Sequence, residues 1–144
     1  MSISRHELRE QTFKMLFGVE FHDGEDKREV LDNYMDITID RELKPKERQE
    51  IIDRVLAVDS KREELDSLIN KVAKGWRTSR MGRAELNLIR LALYEMRYDD
   101  TVPLKVAINE AVELGKEYGD DDAPSFINGI LARLTEVDKE EFSE

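Results

Sequence analysis

Apolar residues recur along this chain at the three- and four-residue spacing of α-helices, and no stretch shows the sustained alternation that strands require. The connections between the apolar segments are short, which favours a globular bundle of helices. The segment from Lys44-Pro45 to Gly75 is either one long helix or two helices divided at a cap near Asp59-Ser60. The pattern therefore predicts an all-α fold of six or seven helices, over about residues 4–21, 26–37, 45–75, 83–98, 103–118 and from 124 onward.

The segment from Pro103 to Leu114 is apolar nearly all round, so we expect a helix in the protein interior with Pro103 at its first position. Glu110 lies in the middle of this segment, and a buried carboxylate needs a partner. Arg90, in the preceding apolar segment, is the expected partner of either Glu110 or Glu113. We interpret the pair as a structural ion pair, since no His, Cys or Lys accompanies it as a catalytic group.

Two asparagines, Asn109 and Asn128, also interrupt apolar helical segments. We expect each side chain to bond a neighbouring loop or helix end. Both are therefore interpreted as structural polar residues.

Several classes of chemistry have no support in the sequence. None of the 144 residues is a cysteine, so thiolate catalysis, zinc–thiolate sites and disulfides are excluded. Phosphate-binding glycine loops, a nucleophile elbow and metal-ligand spacing of the two histidines are absent. No apolar run is long enough for a signal peptide or a membrane span. We predict a cytoplasmic protein that is not an enzyme and has no cofactor, metal or membrane partner.

The net charge of −10 argues against nonspecific binding of nucleic acid, but the charges are unevenly distributed. Residues 71–83 contain five bases and no acid, and a second basic group lies near the N-terminus. An acidic surface with basic islands suits a basic protein partner together with an RNA strand. A merely solvated, solubilising surface is the alternative for such charge runs.

Three segments in order carry a resemblance to a known family. They are LIRLALYE at 88–95 followed by a Val-Pro step, VAINEAVEL at 106–114, and FINGIL at 126–131. Together with an Arg-x-x-x-Arg-Glu start and a tryptophan before an arginine loop, they resemble the NusB family of bacterial transcription antitermination factors. The similarity is strong over residues 76–134 and looser over 1–75.

This resemblance implies two packed helical subdomains, at about 1–75 and 76–135, followed by an acidic tail at 136–144. It also implies an RNA-binding role on the single-stranded boxA element of nascent RNA, jointly with the ribosomal protein NusE. The transcribing RNA polymerase complex on ribosomal RNA operons would be the setting. The resemblance implies no catalysis.

Carried over by position, the resemblance implies roles for individual residues. Glu85 falls where the family meets its ribosomal-protein partner. Phe126 is expected to stack on a base, with a core aromatic as the equal alternative. The residues implied to bind RNA are Arg5, His6, Arg9, Lys14, Arg80, Asp122 and Phe126.

This chain departs from the family pattern because Arg5 and Arg9 are the only arginines in a first segment that often carries three or four. Roughly three phosphate contacts predict a log–log salt slope of about −2. A helical protein-interaction module with weak or no intrinsic RNA binding is therefore the alternative function. An appended domain of an RNA methyltransferase is disfavoured, because no dinucleotide-type glycine loop is present. Exposed aromatics in the first helix leave a homodimer open.

Overall fold

The structure is a computed structural model that describes residues 3–38 and 42–137. This part of the chain contains α-helices and short 3-10 turns but no strand, which confirms the predicted all-α class. The chain divides into two compact units, Met1–Ser60 and Lys61–Glu144. The seven α-helices are α1 (Arg5–Val19), α2 (Lys27–Thr38), α3 (Pro45–Ser60), α4 (Arg62–Val72), α5 (Arg83–Tyr98), α6 (Leu104–Tyr118) and α7 (Ala123–Val137).

The division between the units falls earlier than the expected boundary near residue 75, because α4 belongs to the second unit. Its buried side chains Leu65, Ile69 and Val72 form one face, and the helix packs on α5 and α7. The expected cap at Asp59-Ser60 is also corrected. The Ser60 hydroxyl donates to the carbonyl of Ala57 at 2.7 Å, so it ends α3 rather than beginning α4.

The first unit is built around α1, which contacts both α2 and α3. The helix begins at a Ser4 cap, whose hydroxyl accepts a hydrogen bond from the Glu7 amide at 3.1 Å. Phe13, near the middle of α1, is fully buried. A 3-10 turn at Glu20–His22 and Gly24, with a φ of +89°, end the first helical segment as the sequence predicts.

In the second unit α5 is the most buried helix, and it contacts α4, α6 and α7. Its observed bounds equal the predicted span of 83–98. Residues 86 through 93 are all buried, including the polar Asn87 and Arg90. The sequence predicted that the 103–118 segment would be the interior helix, but α5 is the helix that lies in the interior of this unit.

The expectation that α6 is buried all round is wrong. Its buried residues, Ala107, Ala111, Leu114 and Gly115, lie on one face, while Val106 is 42% exposed. Glu110 is only half-buried. Pro103 precedes the helix as its cap residue rather than occupying the first helical position.

Arg90 has a carboxylate partner beyond those expected from the sequence. The Arg90 guanidinium donates from Nε and Nη2 to the two carboxylate oxygens of Asp66, each at 2.7 Å. Asp66 lies on α4, and the resulting two-point ion pair joins α4 to α5. Glu113 is instead exposed and pairs with Lys116 at 3.0 Å.

The two asparagines interpreted as structural polar residues, Asn109 and Asn128, are both exposed on their helices. Neither makes the expected bond to a loop or helix end within the described residues. A different asparagine supplies a buried amide in the second unit. Asn87 is 1% exposed, and its carbonyl oxygen accepts a hydrogen bond from Arg90 Nη1 at 3.3 Å.

None of the described helices is long and apolar enough to cross a membrane. The acidic tail predicted over 136–144 lies, from residue 138 onward, outside the described residues.

Candidate nucleic-acid interface

The second unit carries an open cleft of about 230 Å³. Its walls come from the loop that precedes α5, the first turn of α5, and the turn that joins α6 to α7. The side chains that define its chemistry are Trp76, Arg80, Glu85, Asp120, Asp122 and Phe126. The cleft therefore brings together four residues that the family resemblance had singled out one by one.

Two aromatic rings line the cleft. Trp76 and Phe126 meet edge to face, with ring centroids 6.5 Å apart and an interplanar angle of 73°. Trp76 follows Gly75, whose φ of +83° turns the chain after α4, and its side chain is 57% exposed. Phe126 lies in the first turn of α7 and is half-buried. Both rings thus keep part of their surface available for a planar ligand.

The carboxylates of the cleft are held by the backbone around them. Glu85 packs against Gly82, and its Oε1 lies 3.0 Å from the position that a Cβ on Gly119 would take. Asp120 Oδ1 accepts a hydrogen bond from the Asp122 amide at 3.2 Å, which shapes the turn before α7. Because glycines at 82 and 119 carry no side chain, Glu85 can lie between the turn before α5 and the turn between α6 and α7.

The charge of the cleft is negative. Arg80 is exposed at the end of the 3-10 turn Thr78–Arg80. Among the residues that the structure describes, it is the one cation lining the cleft, beside three carboxylates. A cleft of this composition does not bind phosphate by charge alone. It offers hydrogen-bond acceptors and aromatic surface, with a single guanidinium.

Positive charge lies next to the cleft instead. The residues we call the basic strip are Lys71, Lys74, Arg77 and Arg80, all of them exposed. None of the four forms an ion pair with another residue of the described ranges. The strip follows the chain from the last turn of α4 through the 3-10 turn. It therefore offers uncompensated cations along one edge of the unit.

The first unit presents a smaller basic group than the sequence suggests. Arg5 and His6 are exposed in the first turn of α1, and Lys14 is half-buried further along. Arg9, expected to contact RNA, is only 9% exposed. Residue 9 precedes the buried Phe13 by four positions, so helical geometry turns it toward the core face.

Within the basic stretch at residues 71–83, the sequence predicted an RNA contact for Arg80 alone. It predicted no direct role for Trp76, Asp120, Lys74 or Arg77. A signal was present, since a tryptophan after a glycine within a run of bases interleaves aromatic and basic residues. Its exposure became evident only in the folded chain. Within the described residues no group of three His, Asp or Glu side chains is arranged to hold a metal ion.

The fold and the site define a class: a helical protein with an aromatic cleft beside a basic strip. The sequence model of the NusB family matches residues 6–136. The curated transcription antitermination protein NusB of Agathobacter rectalis is 44% identical over 134 residues, which cover 92% of this chain and 99% of that protein. The chain therefore belongs to the NusB family of transcription antitermination proteins.

Solved structures agree with this assignment. T. maritima NusB has a TM-score of 0.82 and 30% identity, with both chains covered completely. A second chain, from a crystal structure of antitermination factors NusB and NusE in complex with dsRNA, has a TM-score of 0.74 at 23% identity. That likeness covers 92% of this chain and 96% of the other, and shows the fold alone.

Proposed function

We propose that this protein is an RNA-binding transcription antitermination factor. It binds the single-stranded boxA element of nascent RNA together with ribosomal protein NusE, within the transcribing RNA polymerase complex, and supports processive transcription of ribosomal RNA operons. It acts by binding rather than by catalysis. Membership of the NusB family supports this proposal, and the observation that carries it is the aromatic cleft beside the basic strip.

The two chemical features divide the work of binding a single strand. Phosphate contacts from the basic strip position the strand without reading its sequence. The exposed faces of Trp76 and Phe126 take unstacked bases, as is typical of single-strand recognition. Arg5 and His6, at the N-terminus of α1, add a phosphate site because cations and helix amides there both favour anions. Lys14 joins this group, whereas the buried Arg9 is left out.

The acidic residues of the cleft rim suit the proposed protein partner. A ribosomal protein is basic, and Glu85 offers it a half-buried carboxylate. The same observation favours the second candidate function, a protein-interaction module with weak intrinsic RNA binding. Three carboxylates against one arginine weaken the attraction of the cleft for RNA in the absence of a partner.

A titration of labelled boxA RNA, with and without NusE, separates the two candidate functions. We expect measurable binding by this protein alone and clearly tighter binding when NusE is present. Binding of NusE with no RNA affinity in either arm would support the interaction module instead. Sedimentation of the free protein and of the complex in the same buffer tests whether the protein forms a homodimer.

Phe126→Ala is expected to weaken RNA binding, because it removes a stacking surface worth about 1–3 kcal/mol per base, or roughly 5- to 150-fold in Kd. Fluorescence anisotropy of labelled boxA RNA measures the change. Asn128→Ala is the matched control, since this exposed residue lies on the same helix outside the cleft. Equal affinity of the Phe126 variant, with its helical content intact, would show that no base stacks there.

The salt dependence of binding reports on the basic strip. Each phosphate contact on a single strand contributes about −0.7 to the log–log slope, so the double substitution Lys74→Gln and Arg77→Gln should flatten it by about 1.4. The strip adds to the group on α1, so the unaltered protein should have a slope steeper than about −2. Lys116→Gln is the control, because Lys116 is exposed and pairs with Glu113 away from the strip. An unchanged slope in the double variant would remove the strip from the interface.

A further inference from the structure

We propose that the cleft is a binding pocket for a single unpaired guanine base. This inference rests on the RNA-binding function proposed above and names the base that the cleft selects. Its volume of about 230 Å³ is below the roughly 300–1,000 Å³ typical of sites for drug-sized ligands. A single planar base suits an opening of that size.

The aromatic wall provides the contact with the plane of the base. Trp76 and Phe126 stand at 73° to each other, so a base stacked on one ring meets the edge of the other. The 57% exposure of Trp76 leaves indole surface for the ligand to cover. Stacking of this kind tolerates every base, so selectivity must come from the polar residues.

The polar residues of the cleft are mainly acceptors. Ionised carboxylates accept hydrogen bonds and donate none. Glu85 is half-buried and Asp122 exposed, and neither forms an ion pair with another described residue. The favoured ligand is therefore one that presents hydrogen-bond donors beside an aromatic plane.

Guanine alone among the four bases presents two adjacent donors on its Watson–Crick edge, N1–H and the N2 amino group. One carboxylate accepts both together. Adenine and cytosine pair one amino donor with a ring-nitrogen acceptor, and uracil places one N–H between two carbonyls. In those three bases an acceptor faces the carboxylate and is repelled.

Arg80 adds a second preference in the same direction. An arginine that donates two hydrogen bonds to O6 and N7 is the commonest specific contact to guanine. Arg80 lines the same cleft and is not ion-paired within the described ranges.

The single tryptophan of the chain makes the test direct, because Trp76 is the only indole that reports quenching. The probes are uridine hexamers that carry one central guanine, adenine, cytosine or uracil. We expect the guanine hexamer to bind at least about tenfold more tightly than the other three. The double variant Glu85→Gln and Asp122→Asn should reduce this preference to within about twofold. Each side-chain amide has one acceptor oxygen and one donor NH2 group in place of the two acceptor oxygens of a carboxylate.

Glu117→Gln is the control for the loss of a carboxylate, since Glu117 is exposed on α6 and does not line the cleft. Equal quenching by all four hexamers, with boxA binding retained, would overturn the guanine pocket and leave the RNA-binding function standing. If neither the hexamers nor boxA RNA bound, the proposed RNA-binding function itself would be overturned. Quenching by an arginine-rich peptide but by no hexamer would assign the cleft to a protein partner and also overturn the inference.

Discussion

Asp66→Ala should lower the free energy of unfolding by about 3 kcal/mol, because it leaves the Arg90 guanidinium without its two-point carboxylate partner. The Arg90 side chain is only 6% exposed, against 23% for Asp66, so water does not replace the lost contacts. The pair joins α4 to the central helix of the second unit. Urea denaturation followed by circular dichroism measures the loss.

Glu113→Ala is the matched control for Asp66→Ala. It breaks a carboxylate–ammonium pair of similar length, but both side chains are more than half exposed. An exposed pair of this kind contributes about 0–1 kcal/mol. Asp66→Asn should fall between the two variants, because the amide keeps one acceptor. Equal stabilities for Asp66→Ala and Glu113→Ala would contradict a buried role for the Arg90 pair.

Gly119→Ala should destabilise the protein by about 2–3 kcal/mol through overpacking at the turn between α6 and α7. An added Cβ at residue 119 would press against the Ala123 side chain and lie 3.0 Å from the Gly115 carbonyl oxygen. The φ of −100° is open to any residue, so the requirement for glycine is close approach rather than backbone conformation. The clash involves the turn that carries Asp122, so RNA affinity should fall as well.

Gly129→Ala is the control for the glycine substitution, because an added Cβ meets no atom within 4 Å there. Residue 129 lies within α7, where alanine is favoured over glycine by about 1 kcal/mol. The two substitutions should therefore shift the melting temperature in opposite directions. Stabilisation by both would show that the α6–α7 turn has room for a side chain.

The helices themselves were predictable because the apolar spacing is strong, and α5 has the bounds expected from it. The spacing of apolar residues did not show which of the two apolar helices, α5 or α6, is central to the second unit. Val106 is 42% exposed on α6, whereas Asn87 is 1% exposed on α5, so local hydrophobicity ranked them in the wrong order. Which helix is central depends on how many neighbours cover it, and this is a property of the whole unit.

The partner of Arg90 shows the same limit. A buried arginine requires a carboxylate, and the sequence offered several. One carboxylate that it binds, that of Asp66, precedes it by 24 residues and lies on a helix that the sequence assigned to the other subdomain. The packing of α4 on α5 brings Asp66 to Arg90.

The candidate site was predictable in part. Arg80, Glu85, Asp122 and Phe126 were singled out by family resemblance, and they line one cleft because the start of α5 adjoins the α6–α7 turn. The burial of Arg9 was not predictable, since a list of basic residues does not tell which of them face the core. The pairing of exposed Trp76 with Phe126 also required the fold.

The central claim, that RNA binds at the cleft and basic strip of the second unit and at the start of α1, is tested most directly by mapping amide NMR shifts. Isotope-labelled protein is titrated with boxA RNA in the presence of unlabelled NusE, and again with NusE alone. We expect the RNA-dependent shifts to concentrate in residues 71–85 and 120–126 and around Arg5 and His6. RNA-dependent shifts confined to α2 and α3, with these segments unchanged, would contradict the account.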